Sequence, residues 1–147
     1  MYSNYHSLKV LVDENMVSHC CWVNEHTIFG YFKYQGIDGY YFVDVETEKV
    51  TSCQKMTDLG YGDGHPSSWG DWIVFDTYPD KSRMQHLFLY NLKKQKIVPL
   101  LEVYHSLRYA GETRCDLHPR FSQDGQYVFF DSVYTGKKKL CYKITKR

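Results

Sequence analysis

Short apolar runs separated by polar turns recur along the whole chain. They include Thr27–Phe32, Tyr40–Val43, Ile73–Phe75, Leu87–Tyr90 and Val128–Phe130. Runs of this length, rich in aromatic and β-branched residues, predict strands. No window of 11 or more residues carries a helical stripe. Some of these runs alternate with polar residues and others are wholly apolar, as expected where a sheet is covered on both faces. Ser122-Gln123-Asp124-Gly125 suits a tight reversal between two strands.

The pattern repeats. Gly64-His65-Pro66-Ser67-Ser68-Trp69 lies over Leu117-His118-Pro119-Arg120-Phe121-Ser122, and Ile73–Thr77 over Val128–Ser132. His86–Tyr90 likewise lies over Lys139–Tyr142. A fainter copy starts at Ser18-His19-Cys20-Cys21-Trp22, and the leading histidines are 46 and 53 residues apart. A period of this size built from short strands predicts four-stranded propeller blades. The fold class expected is all-β, a partial β-propeller of about three antiparallel blades at 13–53, 60–101 and 112–145. Leu8–Val12 is expected as a spare fourth strand, and Lys139–Ile144 as a third strand lacking its fourth. Two closures follow. A head-to-tail homodimer would exchange the spare strand and make a six-bladed ring; otherwise the chain is the C-terminal part of a longer propeller.

Composition adds exclusions. The chain has 147 residues, of which 17% are aromatic, and its formal charge is +1 from 18 basic and 17 acidic residues. This balance gives no electrostatic case for a nucleic-acid or membrane partner. No apolar run approaches the ~20 residues of a membrane-spanning helix. No secretion signal is read at Met1–His6, so a reducing, cytoplasmic setting is expected. The five cysteines have no CxxC spacing and are expected as buried free thiols.

The segment His118-Pro119-Arg120-Phe121-Ser122-Gln123-Asp124-Gly125, followed by Tyr127–Ser132, resembles the TolB-type propeller repeat. With Gly62–Ser67, Asp76–Asp80, Gln85–Leu87 and Gly111–Pro119, it is similar to the C-terminal blades of oligogalacturonate lyase-like propellers. The resemblance implies β-elimination on an acidic oligosaccharide, with a divalent ion, manganese first among candidates, held mainly by histidines and a separate histidine as base. His65 and His118 stand at ligand positions of that pattern. Asp116 stands where the family has a further histidine, and Thr113 near its glutamine ligand. Ser18-His19 resembles the base-bearing segment.

The repeat itself places His19, His65 and His118 at the start of the innermost strand in three successive blades, so they should converge on one channel mouth. Asp116, two residues before His118, shares its face if that segment is extended. With the roles that the resemblance implies, the candidate set is His65, His118 and Asp116 as metal ligands and His19 as base, with Arg114 and Arg108 gripping a carboxylate. Glu112 and Arg120 join the arginines as substrate-binding candidates from the same connection and the strand after it. Asp76 and Asp131 read as turn-fixing, Lys137-Lys138-Lys139 as a solvated turn, and His26 and His105 as surface residues. Two competing functions stay open. One is a non-catalytic propeller module binding saccharide or protein, as in polysaccharide biosynthesis; the other is a purely architectural half-propeller.

Overall fold

The computed structural model describes residues 8–145. Three antiparallel sheets follow one another in chain order. The first holds β1 (Val17–Trp22), β2 (Thr27–Tyr34), β3 (Ile37–Asp44) and β4 (Val50–Ser52). The second holds β5 (Ser67–Trp69), β6 (Trp72–Asp76), β7 (Met84–Asn91) and β8 (Lys96–Tyr104). The third holds β9 (Arg120–Phe121), β10 (Tyr127–Ser132) and β11 (Lys139–Ile144). Each sheet is a meander whose neighbouring strands are consecutive in sequence, the arrangement of propeller blades.

The middle blade explains the wholly apolar runs. Along β6, Ile73 and Phe75 enter one buried cluster with Phe29, Tyr40, Met56, Phe88 and Tyr90. Val74 points the other way, into a cluster with Leu87, Leu89, Leu117, Val128 and Phe130. Alternate residues of one strand thus cement the middle blade to both neighbours. Full burial of each such aliphatic or aromatic side chain is worth roughly 1.5–3 kcal/mol. The first strands of the three blades also approach one another, β1 against β5 and β5 against β9. Cross-links reinforce this, since the Trp69 indole N–H donates to the Gln123 carbonyl at 2.9 Å.

The structure departs from the sequence reading at several places. Leu8–Val12 belongs to no ladder. Leu11 and Val12 instead pack over Phe32, Tyr41 and Val43 on the face of the first blade turned away from the second. The strands that a spare strand would pair with lie outside this chain, and within the chain Leu8 and Val10 stay exposed. β8 runs on to Tyr104 because the ladder steps over Leu100, with Phe88 opposite Pro99 and Leu87 opposite Leu101. Pro99 is tolerated because β8 is the outer edge strand. One helical turn, α1 (Gln54–Thr57), follows the first blade and buries Met56. All five cysteines are free. Cys53 and Cys115 are buried, but Cys20 is exposed, contrary to expectation. Burial pushes the Cys21 thiol up to about 12, so it is inert as a nucleophile near neutral pH. Among the described residues no helix is long and apolar enough to cross a membrane.

Candidate metal centre

Asp76 ends β6 and is 1% exposed. Such a carboxylate must find donors, and it finds three. The backbone N–H of His65 donates to Oδ1 at 2.6 Å, and the backbone N–H of His118 to Oδ2 at 3.0 Å. The His65 ring adds its Nδ1, at 3.0 and 3.1 Å from the two oxygens. One carboxylate therefore ties the leading histidines of two blades together. Gly64 makes the approach possible, because a Cβ there would lie 2.0 Å from the Asp76 carbonyl oxygen.

This pairing fixes chemistry as well as place. An ionised carboxylate only accepts, so His65 Nδ1 carries the proton and Nε2 keeps its lone pair. A ligand histidine is typically oriented by a carboxylate in this way. Burial alone would lower the basicity of His65. The hydrogen bond and charge of Asp76, with Asp116 and Asp63 behind them, more than offset this and hold its pKa above the usual value. His118 is exposed and adopts φ of 42°, a left-handed conformation costing a non-glycine residue about 1–2 kcal/mol. Its N–H bond to Asp76 helps hold it there.

Three of the four leading candidates then meet. One ligand atom each from His65, Asp116 and His118 lies within 4.8 Å of the others. Ligands of a tetrahedral ion stand about 3.4 Å apart at ordinary bond lengths, so the three would draw in toward one another to hold one. Two imidazoles and a carboxylate suit a divalent transition ion. His19 stands beside the set, its ring centroid 3.9 Å from that of His65, which is itself 4.0 Å from His118. His19 Nδ1 lies 3.3 Å from Asp63 Oδ1 and 3.1 Å from Ser18 Oγ, and the Ser18 hydroxyl donates to the other Asp63 oxygen. With Nδ1–H given to Asp63, His19 also keeps a free Nε2.

The arginines divide. Arg114 grips Asp116 with two bonds, Nε to Oδ1 at 2.7 Å and Nη2 to Oδ2 at 2.9 Å, and its guanidinium lies 4.5 Å over the Tyr78 ring. Arg120 turns to Asp131 and to the His118 carbonyl. Arg108 and Glu112 are exposed on the connection, outside the residues lining the cleft beside the centre. That cleft, about 390 Å³, is lined by Arg114, Cys115, Asp116, His118, Asp131, Lys138, Lys139 and Leu140.

Sequence reasoning missed three participants. Asp76 looked like a turn residue, but its partners lie 11 and 42 positions away. Asp63 was signalled only by its place two residues before His65. His105, expected on the surface, is fully buried. Its Nε2 accepts the Cys115 N–H at 3.2 Å, its Nδ1 meets Arg83 Nη2 at 2.6 Å, and Arg83 Nε donates to its carbonyl at 3.0 Å. It anchors the connection that carries Arg114 and Asp116.

With this geometry in place, comparison with known proteins bears on the fold. No protein-family model matches the chain, and no curated protein does. Solved structures do. TolB from Acinetobacter baumannii aligns over 89% of this chain with a TM-score of 0.62 at 13% identity. A TolB-type protein from Agrobacterium tumefaciens aligns over 81% with a TM-score of 0.57 at 16% identity. The chain has a TolB-like β-propeller fold, in three of its blades. It covers only 30% and 39% of those two proteins. Likeness at this identity concerns the fold alone.

Proposed function

We propose that this chain is an acidic-saccharide-recognising propeller module that binds a divalent metal, manganese first among candidates, through His65, Asp116 and His118. The observation that carries the reading is the meeting of these three ligand atoms, with Asp76 fixing one histidine and the backbone of the other. Such an ion, when bound, would neutralise a uronate carboxylate and make the adjacent carbon more acidic.

The chain's own residues supply the rest of a β-elimination. His19 Nε2 accepts the proton from the carbon next to the carboxylate, while Asp63 holds the ring through Nδ1 and steadies the imidazolium. Electrons of that C–H bond form a carbon–carbon double bond as the neighbouring glycosidic C–O bond breaks. The departing oxygen takes a proton from solvent. Arg114, stacked on Tyr78, directs its guanidinium at Asp116 and so holds that ligand in place.

Absorbance of the conjugated double bond tests this directly. Protein loaded with Mn(II) and given digalacturonate should form it, and His19→Ala should slow the rate by about 10²–10⁴-fold. Failure of the loaded wild type to form any double bond would contradict the elimination. One observation favours a second reading, a non-catalytic binding module: both Asp116 oxygens already accept bonds from Arg114. On that reading uronate binds, the double bond never forms, and His19→Ala leaves uronate affinity unchanged.

A further inference from the structure

The repeat lets equivalent positions be compared in successive blades. Leu87 and Leu89 of β7 lie in the cluster shared with the third blade and are 0% and 4% exposed. Their equivalents one repeat later are Leu140 and Tyr142 of β11. The register sets Leu140 opposite Asp131, Tyr142 opposite Phe129 and Ile144 opposite Tyr127. Val128 and Phe130, the residues between, turn into the second blade, so this set shares the face turned away from it. There Leu140 and Tyr142 are each 63% exposed, and Ile144 is exposed as well. Positions that are core in the second blade lie bare in the third.

The first blade has the matching gap. Phe29 and Tyr40 enter the cluster shared with the second blade, whereas Phe32, Tyr41 and Val43 turn the other way. Leu11 and Val12 pack on that open face, but Val17, opposite Phe32, stays exposed. Cys20 is exposed on the same face, opposite Gly30, which is itself opposite Tyr41. A groove of about 290 Å³ runs there between Val10, Leu11 and Val12 on one side and Val17, Cys20 and Phe32 on the other. The sheets show the same incompleteness. The first and second end on a fourth strand, β4 and β8, while the third ends on β11.

We propose that a second copy of this chain fills both gaps, the far face of its third blade docking on the open face of the first blade. The contact continues a series that the chain already contains twice, first blade on second and second on third. The two faces differ, so the contact is head-to-tail and must either close or run on. Propellers close with about 4–8 blades, so three-blade units close as two copies, not as one or three. Such docking also offers the unladdered Leu8–Val12 to a sheet that lacks its fourth strand. Nothing in this depends on the metal or the saccharide.

Sedimentation equilibrium on the full chain tests it. Wild type should weigh twice the 17.5 kDa of one chain at micromolar concentration. Leu140→Glu/Tyr142→Glu spoils one face and Val17→Glu the other. All three side chains are exposed in the single chain, so both variants should keep the wild-type far-ultraviolet circular dichroism. Each should raise the dimer dissociation constant at least about 100-fold, because docking would bury an unpaired carboxylate. Each variant also keeps one sound face, so an equimolar mixture should associate more tightly than either alone. Cys20 should react with a thiol reagent at least about tenfold faster in Leu140→Glu/Tyr142→Glu than in wild type, since docking covers it. A monomeric wild type overturns the proposal and leaves both faces to blades of a longer chain. A variant that dimerises as well as wild type points to a pair of like faces and overturns it too, as do assemblies beyond two copies.

Discussion

His65, just before β5, and His105, just after β8, are both buried, yet the fold treats them in opposite ways. His65 faces a carboxylate, Asp76, and its basicity is raised in spite of burial. His105 faces a guanidinium, Arg83, and a backbone donor; burial, then the Arg83 charge, lowers its basicity. Asp76 gives His65 a fixed tautomer with one nitrogen free toward the mouth. His105 spends both ring nitrogens inward, joining the β7–β8 hairpin end to the connection at Cys115. The same side chain is a ligand candidate in one place and a strut in the other, and the sign of its nearest charged partner separates the two roles.

Removing Asp76 should have the largest effect. Asp76→Ala strands two backbone N–H groups and the His65 ring at a buried site, with an expected loss of ~3–5 kcal/mol by urea denaturation. Asp76→Asn keeps an acceptor, so the fold should survive while Mn(II) affinity drops by about 10–100-fold. Unchanged Mn(II) affinity in that variant would break the assignment of His65 as an oriented ligand.

Next in size is the strut. His105→Leu leaves the buried Cys115 N–H without its acceptor, with an expected cost of ~1–3 kcal/mol. In metal-loaded protein its effect on Mn(II) affinity should be small beside that of Asp76→Asn. A comparable loss of affinity would show that the two histidines are not separate devices.

Smaller, and opposite in sign, are the pH effects. The raised pKa of His65 means that its contribution to stability is full below about pH 6.5 and is lost as pH rises through the higher folded value. The lowered pKa of His105 means the reverse: its contribution is full above about pH 6.5 and is lost as pH falls through the lower folded value. Denaturation of metal-free protein from pH 5 to 8 should therefore show the gap between wild type and His65→Gln widest at the acid end. The gap for His105→Gln should be widest at the alkaline end. Two gaps that move together with pH would contradict the contrast. His26→Ala, at an exposed side chain, should change stability by less than about 0.5 kcal/mol at any of these pH values.

What the sequence made legible follows from what is local and what is repeated. Ile73-Val74-Phe75 announced a strand covered on both faces, and its alternate residues do enter two separate clusters. The repeated histidines do stand ring beside ring, because equivalent positions in successive blades point the same way. The rest depended on distant partners. Nothing near Asp76 indicates that its donors are His65 and His118, and nothing near His105 indicates Arg83, 22 positions away. Leu8–Val12 has the alternation of a strand, which does not distinguish an edge from a cover over a blade face. Lys137–Lys139 read as a solvated turn because charge runs usually are, and all three are exposed. The cleft at Lys138 and Lys139 exists only once the third blade is folded against the connection.

The central claim is that two blades present one cation site organised by Asp76. Titration calorimetry with Mn(II) tests it most directly. The account predicts one ion per chain in wild type, with binding reduced at least about 100-fold in His65→Ala and in His118→Ala, while His105→Gln binds nearly as wild type. Absence of binding in folded wild type, or binding that survives both His65→Ala and His118→Ala, would contradict it.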